Sequence, residues 1–235
     1  MSVERKIGIL LPSSNMVIEP EFYRTVPPGI TVHGMRLFLT EVKYNAWMTM
    51  NQEIEKGSEY LSTAEVDVIL FACTGASFAK PGYDREVIDR IRQATGVRCT
   101  TTSTAVLEAF RELKAKKISL ATPYPKEVNS IAKIFFESNG IEVIAEKGLG
   151  IVSSAEIGRL SSAAAHQLAM EADRPEAEAI LLSCTNLRTF DVLEKLENRL
   201  GKPVISSNQA SLWSTLEILG AGLPIRGHGM LLERI

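Results

Sequence analysis

The sequence has few of the residues on which metal and disulfide chemistry depend, since its 235 residues include three histidines and three cysteines. No histidine lies at metal-ligand spacing from a cysteine or another histidine, which argues against a zinc site. No Gly-x-Gly-x-x-Gly or P-loop motif follows a predicted strand, so nucleotide cofactors are not indicated. Three cysteines without a secretion signal do not suggest a disulfide scaffold, and we expect reduced thiols in a cytoplasmic protein.

Charge of one sign is not in excess, because 26 lysines and arginines stand against 28 aspartates and glutamates. Without a basic run, neither nucleic acid nor an anionic membrane is indicated as a partner. No uninterrupted apolar stretch approaches the roughly 20 residues of a membrane-spanning helix. Because 45% of the residues are hydrophobic, the chain can still bury a substantial core in one α/β domain or two small lobes.

Short apolar runs, often β-branched and bounded by turn residues, alternate with longer amphipathic stretches. Strands are predicted at residues 6–11, 31–36, 66–71, 97–100, 117–121, 141–145, 179–183 and 203–206. Helices are predicted at residues 15–25, 47–63, 82–95, 103–114, 125–138, 155–171, 187–199 and 208–219. This alternation predicts an α/β fold with parallel sheets and right-handed crossovers.

The chain also repeats itself. Residues 6–12 resemble 117–123 and residues 67–74 resemble 178–185, in both cases 111 positions apart; residues 96–105 resemble 201–210, which lie 105 positions further on. Because the matches share their order, we predict two pseudo-symmetric lobes related by duplication, each a four-stranded parallel sheet flanked by helices. The first lobe would span residues 1–112 and the second 113–207, with residues 208–235 packing back on the first.

The residues expected at the carboxyl ends of the strands are almost all hydroxyls, amides and thiols. They are 12–15, 73–77, 101–103, 122–124, 183–186 and 206–208, and they include no carboxylate and no histidine. Ligands of open parallel sheets bind at this edge, and helices that begin there present free N–H groups to anions. The pattern predicts a small anionic ligand, with two carboxylates that are each held by one lobe. Helix capping alone is the alternative explanation for the hydroxyls.

Cys73 and Cys184 occupy equivalent positions in the repeat, and each is followed by threonine. A helix N-terminus is worth up to about 2 kcal/mol to a partly buried anion, which would lower a thiol pKa from about 8.5 to about 7. A thiolate of that kind can act as a nucleophile or base without a histidine partner. The alternative is that both cysteines are small buried apolar residues. Cys99, whose equivalent is Val204, is assigned a structural role.

The other candidates are open to two interpretations each. The Tyr124 phenol can donate to a carboxylate or be a half-buried interface group, and the Asn15 amide can bind a carboxylate or begin a helix. Arg188 is interpreted as a solvated surface residue, with an anion contact as the alternative. The three histidines, His33, His166 and His228, are assigned to the surface or to packing, and the helix face of Ile131, Ile134 and Phe135 is assigned to the core.

Taken together, these segments resemble the aspartate/glutamate racemase superfamily, and within it the branch of maleate cis-trans isomerases and arylmalonate decarboxylases. The motifs are Pro12-Ser13-Ser14-Asn15, Ala72-Cys73-Thr74, Thr122-Pro123-Tyr124, Ser183-Cys184-Thr185-Asn186 and Ser206-Ser207-Asn208, and they cover essentially the whole chain. The resemblance implies two flavodoxin-like lobes with the active site between them, chemistry that needs no cofactor or metal, and a homodimer.

The residues help to choose among the branches. Amino-acid racemases of the superfamily typically carry an Asp after the first strand and Cys-Thr-His in the second lobe, whereas this chain has Ser13-Ser14 and Cys184-Thr185-Asn186. Decarboxylases typically keep only the second cysteine and have glycine at the first position. Because both thiols are present here, the pattern resembles that of maleate isomerase. Decarboxylase or racemase activity is the alternative, and a non-enzymatic protein that binds small acids is a third possibility.

The resemblance to the isomerases also implies roles for individual residues. Cys73 would add to the alkene and Cys184 would donate a proton. The residues implied in substrate binding are Ser14, Asn15, Thr74, Gly75, Tyr124, Ser154, Thr185 and Asn186. One departure matters, because the isomerases place an Asp-Asn pair where this chain has Ser153-Ser154. The serine lacks the amide that contacts the substrate, which puts maleate itself in question but not the general chemistry.

Overall fold

The computed structural model describes residues 5–234. The first sheet contains β1 (Arg5–Pro12), β2 (Ile30–Leu37), β3 (Val68–Phe71) and β4 (Arg98–Thr101), in the order β2-β1-β3-β4. The second contains β5 (Lys117–Thr122), β6 (Glu142–Gly148), β7 (Ala179–Leu182) and β8 (Val204–Ser206), in the equivalent order β6-β5-β7-β8. All strand pairs are parallel, so the predicted fold of two four-stranded parallel sheets is confirmed.

Helices connect the strands and cover the sheets. They are α1 (Ile18–Thr25), α2 (Tyr44–Met50), α3 (Ile54–Ser62), α4 (Thr74–Ser77), α5 (Tyr83–Thr95), α6 (Thr102–Glu112), α7 (Lys126–Ser138), α8 (Ser154–Gly158), α9 (Ser162–Ala172), α10 (Leu193–Leu200) and α11 (Ser207–Leu219). Single 3₁₀ turns form at Asn51–Glu53 and Leu232–Arg234. Among residues 5–234, no helix has the length and apolarity that a bilayer crossing requires.

The central strands are apolar because helices cover both faces of each sheet at its centre. Every residue of β3 and of β7 is buried, and these strands pair with β1 and β5 in equivalent registers. Burial of such runs contributes roughly 25 cal/mol for each square ångström of apolar surface removed from water. The two sheets therefore form rigid supports, and the segments that leave their carboxyl ends are held in place.

Two predicted helices are interrupted. Helix 47–63 becomes α2, a 3₁₀ turn and α3, because Arg90 Nη2 donates to the carbonyl oxygen of Asn51 at 2.6 Å at the point where the α-helical ladder breaks. Helix 155–171 becomes α8 and α9. There Arg188 Nη1 donates to the carbonyl oxygens of Gly158 (2.6 Å) and Leu160 (3.1 Å), which have no helical partner at the break.

Arg188 is therefore a half-buried residue that bonds backbone carbonyl oxygens, rather than the solvated surface residue that was predicted, and the alternative of an anion contact stays a prediction. The helix predicted at 187–199 begins only at Leu193, because the N–H groups of Thr189 and Phe190 donate to the Glu21 carboxylate instead. The assignment of Ile134 to the core was also wrong. Its side chain is 57% exposed, whereas Phe135 beside it is fully buried.

Helix α11 leaves β8 and packs against α6 of the first half of the chain. The Ser211 hydroxyl donates to the Thr102 hydroxyl at 3.1 Å, and the Ser214 hydroxyl donates to Glu108 at 2.8 Å. Beyond α11, the Met230 N–H donates to Glu197 of α10 at 2.8 Å. The last residues thus contact both halves, and the lobe boundaries remain a prediction.

Candidate active site

A small enclosed cavity of about 20 Å³ lies where the carboxyl ends of the two sheets face each other. It is lined by Pro12, Asn15, Leu39, Val42, Trp47, Cys73, Thr74, Gly75, Tyr124, Ser154, Cys184, Thr185 and Asn186. The structure thus brings nine of the ten sequence-predicted site residues to one cavity. Ser14 does not line it, because its hydroxyl donates to the carbonyl oxygen of Leu39 at 2.6 Å.

The two cysteines reach this cavity from different halves of the chain. Cys73 is the last extended residue before α4, and Cys184 follows β7 by two residues. Their exposed fractions are 5% and 6%. The Ala76 N–H lies within hydrogen-bond reach of the Cys73 thiol, and the Asn186 N–H donates to Cys184 Sγ at 3.4 Å. Each sulfur therefore has one backbone donor that favours its thiolate form.

Burial nevertheless controls the charge state of both thiols. It raises the pKa of Cys73 to about 12 and that of Cys184 to about 11. The neighbouring Cys184 also raises the pKa of Cys73, which shows that the two sulfurs lie close enough to interact. The expected lowering of the thiol pKa was therefore wrong for the closed cavity, because one N–H and a helix of four residues cannot compensate for lost hydration.

Tyr124 links the two halves of the site. Its phenol lies within hydrogen-bond reach of the Cys184 thiol and the Thr74 hydroxyl, and its ring is 3% exposed. Burial and the two sulfurs raise the pKa of Tyr124, so the phenol remains a proton donor at any physiological pH. The side chain is therefore buried at the cavity and is not a half-buried interface group, while its role as a donor to a carboxylate stays a prediction.

Asn15 both begins a helix and faces the cavity. Its Oδ1 accepts hydrogen bonds from the N–H groups of Val17 (2.9 Å) and Ile18 (3.1 Å) at the start of α1. This directs Nδ2 toward the other half of the chain, where it donates to the Thr185 hydroxyl at 3.1 Å. The two roles weighed from the sequence are therefore compatible, since different ends of one amide serve them.

Asn186 is held by both halves of the chain. Its Oδ1 accepts the N–H of Met16 at 2.9 Å, while Nδ2 donates to the carbonyl oxygen (2.7 Å) and hydroxyl (3.3 Å) of Ser154. Ser154 thus contributes a short hydroxyl to the cavity. The fully bonded Asn186 side chain fixes the backbone next to Cys184.

The apolar side of the cavity, which Leu39, Val42 and Trp47 form, was not identified from the sequence. Trp47 lies directly over Gly75, since a Cβ added to that glycine would be 2.8 Å from Cη2 of the indole. The indole also makes an edge-on contact with Phe78, with ring centroids 5.9 Å apart. In a sequence, a tryptophan in an amphipathic helix is typical of an ordinary core residue. Only the contact of Trp47 with Gly75 shows that it limits the size of the cavity.

Two segments close over the cavity, which we call the inter-lobe bridge (residues 40–42 and 152–154). The Val42 N–H donates to the carbonyl oxygen of Val152 at 2.8 Å, and the Ser154 N–H donates to that of Thr40 at 3.0 Å. Glu41 and Ser153 form an isolated antiparallel pair between them. A cavity of about 20 Å³ has room for about one water molecule, so this conformation has no space for a dicarboxylate.

The lining contains no acidic, basic or histidine side chain. Its polar groups are two thiols, a phenol, hydroxyls and amides, together with the N–H groups of Thr74 and Gly75, which have no intrahelical partner at the start of α4. Donors without net charge suit an anion whose negative charge moves during reaction. Within residues 5–234, no three His, Cys, Asp or Glu side chains are grouped to hold a metal ion.

The sequence model of the arylmalonate decarboxylase family matches residues 7–232. The chain belongs to the arylmalonate decarboxylase family. Because the match spans nearly the whole chain, the resemblance drawn from the motifs is confirmed.

Relatives within the arylmalonate decarboxylase family carry two activities. The arylmalonate decarboxylase of Bordetella bronchiseptica is 29% identical over 231 residues, covering 97% of this chain and 96% of that protein. The maleate isomerase of Pseudomonas putida is 28% identical over 242 residues, covering 97% of both. A maleate isomerase variant from Pseudomonas putida S16, crystallised with maleate, matches with a TM-score of 0.94 at 25% identity, covering 97% of both chains.

Proposed function

We propose that this member of the arylmalonate decarboxylase family is a cofactor-independent isomerase that converts a small cis-unsaturated dicarboxylate of the maleate type into its trans isomer. The observation that carries the proposal is the pair of thiols, Cys73 and Cys184, which face one cavity from different halves of the chain. The similarity to maleate isomerases over nearly the full length supports it.

The reaction requires no oxidant or reductant. The Cys73 thiolate adds to one alkene carbon, and the π electron pair moves to the adjacent carbon and its carboxylate. The remaining C–C single bond rotates, the pair returns to re-form the alkene, and the C–S bond breaks to release the thiolate. Cys184 stabilises the intermediate by donating its proton toward the carbanion carbon and takes the same proton back before elimination. Atoms and charge are thus conserved over one cycle.

Burial determines at which stage of the cycle the Cys73 thiolate, the nucleophile, forms. Because the closed cavity raises the pKa of Cys73 to about 12, the thiol loses its proton while the inter-lobe bridge is open and water hydrates the sulfur. When the inter-lobe bridge closes around the bound acid, hydrogen-bond donors of the protein replace the water molecules around the two sulfurs. Of these, the Ala76 N–H serves Cys73, and the Asn186 N–H and Tyr124 phenol serve Cys184.

The carboxylates are held by neutral donors from both halves. We assign one carboxylate to Asn15 Nδ2 and the N–H groups of Thr74 and Gly75, which all face the cavity. We assign the other to Tyr124, Ser154 and the backbone of Thr185 and Asn186. Ser14 would act indirectly, through its hydrogen bond to the Leu39 carbonyl oxygen.

The direct test is to incubate the protein with maleate and follow fumarate by proton NMR. We expect turnover in wild type and none in Cys73→Ala or Cys184→Ala. Cys99→Ala is the matched control, because Cys99 is also buried but bonds the Ile88 carbonyl oxygen away from the cavity. Full turnover by Cys73→Ala would contradict the proposed role of that thiol.

Decarboxylation or racemisation is the second candidate, and the apolar side of the cavity favours it. Leu39, Val42 and Trp47 can accommodate an apolar substituent on the acid, and Ser154 lacks the isomerases' amide. Incubating a saturated 2-substituted acid in D₂O would reveal deuterium at its α-carbon. That exchange without alkene turnover would point to this chemistry.

We also propose that the protein is a cytoplasmic homodimer. The superfamily resemblance supports the dimer, and the three free cysteines support the location. Light scattering coupled to gel filtration would measure the mass against the 25.8 kDa of one chain.

A further inference from the structure

Glu21 is a buried carboxylate that the proposed reaction does not use. It lies on α1 in the first half of the chain and is 2% exposed. Its Oε1 accepts the N–H groups of Thr189 (2.8 Å) and Phe190 (3.1 Å), and its Oε2 accepts Asn208 Nδ2 at 2.6 Å. All three donors belong to the second half of the chain or to α11. A carboxylate in the first half therefore holds the segment that follows Cys184.

Asn208 extends this contact to the active site. Its Nδ2 donates both to Glu21 and to the carbonyl oxygen of Thr185, the latter at 3.1 Å. Thr185 directly follows Cys184, and its own hydroxyl receives Asn15 Nδ2 and donates to the Ala72 carbonyl oxygen. The Thr185 carbonyl oxygen is thus held by Asn208, which in turn donates to Glu21. The Thr185 hydroxyl is held by Asn15 and by Ala72, the residue that precedes Cys73.

We propose that Glu21 is a positioning residue for Cys184: through Asn208 it fixes the Thr185 carbonyl and so the direction in which the thiol and the Asn186 N–H point. The inference rests on the proposed function in that it takes Cys184 to be a reacting group. Glu21 itself does not line the cavity and contacts no substrate.

The orientation of Asn208 makes the proposal specific. Its Oδ1 has no hydrogen-bond partner, whereas Nδ2 has two acceptors. In Glu21→Gln, the new amide can keep Oε1 toward Thr189 and Phe190 but presents an NH₂ to the Asn208 NH₂. Asn208 then turns its free Oδ1 toward Gln, and the Thr185 carbonyl loses its donor. The substitution therefore keeps the contact between the halves but releases the residue beside Cys184.

Glu197 provides a matched control. It is also a buried glutamate (8% exposed) that accepts two backbone N–H groups, those of Val204 (3.1 Å) and Met230 (2.8 Å). Its partners lie away from the cavity lining. Glu197→Gln thus removes a comparable charge without touching the segment at 184–186.

The experiment measures how fast iodoacetamide alkylates Cys184 and Cys73, resolved by peptide mass spectrometry. Both thiols share one cavity, so a change in how often the inter-lobe bridge opens affects both alkylation rates equally and cancels in their ratio. We expect Glu21→Gln to lower the Cys184-to-Cys73 ratio and to lower kcat by about tenfold with KM unchanged, since small misplacements of reacting groups are costly. Glu197→Gln should lower the melting temperature and leave the ratio and kcat unchanged.

A second variant separates positioning from stability. Glu21→Gln combined with Asn208→Asp restores one donor–acceptor pair between the two side chains and one negative charge, but leaves the Thr185 carbonyl without a donor. We expect the melting temperature to recover and kcat to stay low. Recovery of kcat together with stability would overturn the proposal, as would an unchanged alkylation ratio in Glu21→Gln. If Glu21→Gln does not fold, Glu21→Asp, which keeps the charge on a shorter side chain, should lower the same ratio.

Failure of the proposed function gives a different result. The alkylation ratio needs no substrate, so a lowered ratio in Glu21→Gln with no maleate turnover in wild type would refute the isomerase assignment alone. Maleate turnover with an unchanged ratio and kcat in Glu21→Gln would refute the positioning role alone.

Discussion

The hydroxyl of Thr185 donates a hydrogen bond to the carbonyl oxygen of Ala72 at 3.1 Å. The residue that follows one thiol is thereby tied to the residue that precedes the other. Because β3 and β7 are buried throughout, neither end of this contact can shift without disturbing a sheet. The separation of Cys73 and Cys184 is consequently set by a hydrogen bond between the halves of the chain, as well as by each half's own packing.

We expect Thr185→Val to lose about 2 kcal/mol of unfolding free energy, because it leaves the Ala72 carbonyl and Asn15 Nδ2 without partners in a buried site. Its kcat should fall by at least about tenfold, since the thiols are no longer held in register. Urea unfolding and the fumarate assay measure the two effects. Thr189→Val is the control, because it removes a buried hydroxyl bonded to Ser206 inside one half and should leave kcat intact.

The raised thiol pKa values predict an alkaline pH dependence. Burial raises the pKa of Cys73 to about 12, so the thiolate is a small fraction at neutral pH and grows about tenfold with each pH unit. The logarithm of kcat/KM for maleate should therefore rise with a slope of about 1 between pH 7 and 9, as this parameter reports the free enzyme. A plateau beginning below pH 8 would contradict this assignment.

The same shift affects stability with a definite sign. The folded state favours the protonated thiols, so their contribution is complete below the usual thiol pKa and is lost as the pH rises toward 11 and 12. The melting temperature should accordingly fall above about pH 9, where unfolded thiols begin to ionise. A variant with Cys73→Ser and Cys184→Ser should lose less of its melting temperature over that range.

Asn15→Asp tests whether the cavity selects anions. The carboxylate can still accept the Val17 and Ile18 N–H groups, but the buried Thr185 hydroxyl loses its donor, so we expect the melting temperature to fall. It replaces the Nδ2 donor by a negative charge facing the substrate, and the maleate KM should increase by at least about tenfold. The assay is a KM determination at constant ionic strength. Asn139→Asp, on an exposed helix end outside the cavity, should leave KM unchanged.

The contact between Trp47 and Gly75 predicts that substitutions at these two positions have non-additive effects on the free energy of unfolding. Gly75→Ala places a methyl group against the indole and should destabilise the fold by about 1–3 kcal/mol, as overpacking of a core does. Trp47→Phe should relieve part of that cost, so the double variant should be more stable than the sum of the singles implies. Strict additivity in denaturant unfolding would contradict the contact.

Trp47→Phe should also enlarge the cavity on its apolar side. We expect a higher kcat/KM for 2-methylmaleate relative to maleate, because the indole limits the space beside the alkene. A proportionate loss for both substrates would mean that Trp47 only supports the fold.

The fold was predictable from the sequence for a physical reason. The central strands β1, β3, β5 and β7 are short apolar runs that are mostly buried, and the repeat at residues 67–74 and 178–185 places each thiol at the same strand end. The helix boundaries were less predictable, because side chains from far along the chain determine them. Arg90 ends α2, Arg188 ends α8, and Glu21 delays the start of α10.

The site was predictable where it follows strand ends and not elsewhere. Cys73, Cys184 and Tyr124 lie at such ends and were identified. Leu39 and Val42 lie in the connection between the edge strand β2 and α2, and Trp47 lies within α2. At neither place does a sequence pattern distinguish a cavity wall from core. The thiol pKa values depend on how tightly the cavity closes, and no local motif encodes this.

Neither half of this molecule holds a complete site, since each provides one sulfur and part of the anion cradle. An ancestral single unit with this arrangement would have needed to associate with its own copy to catalyse anything. Once both copies belong to one polypeptide, the equivalent positions of the two halves no longer have to carry the same residue. Under the proposed function, a substitution at either sulfur would then alter the chemistry of one half while the opposite half keeps its own contacts to the acid.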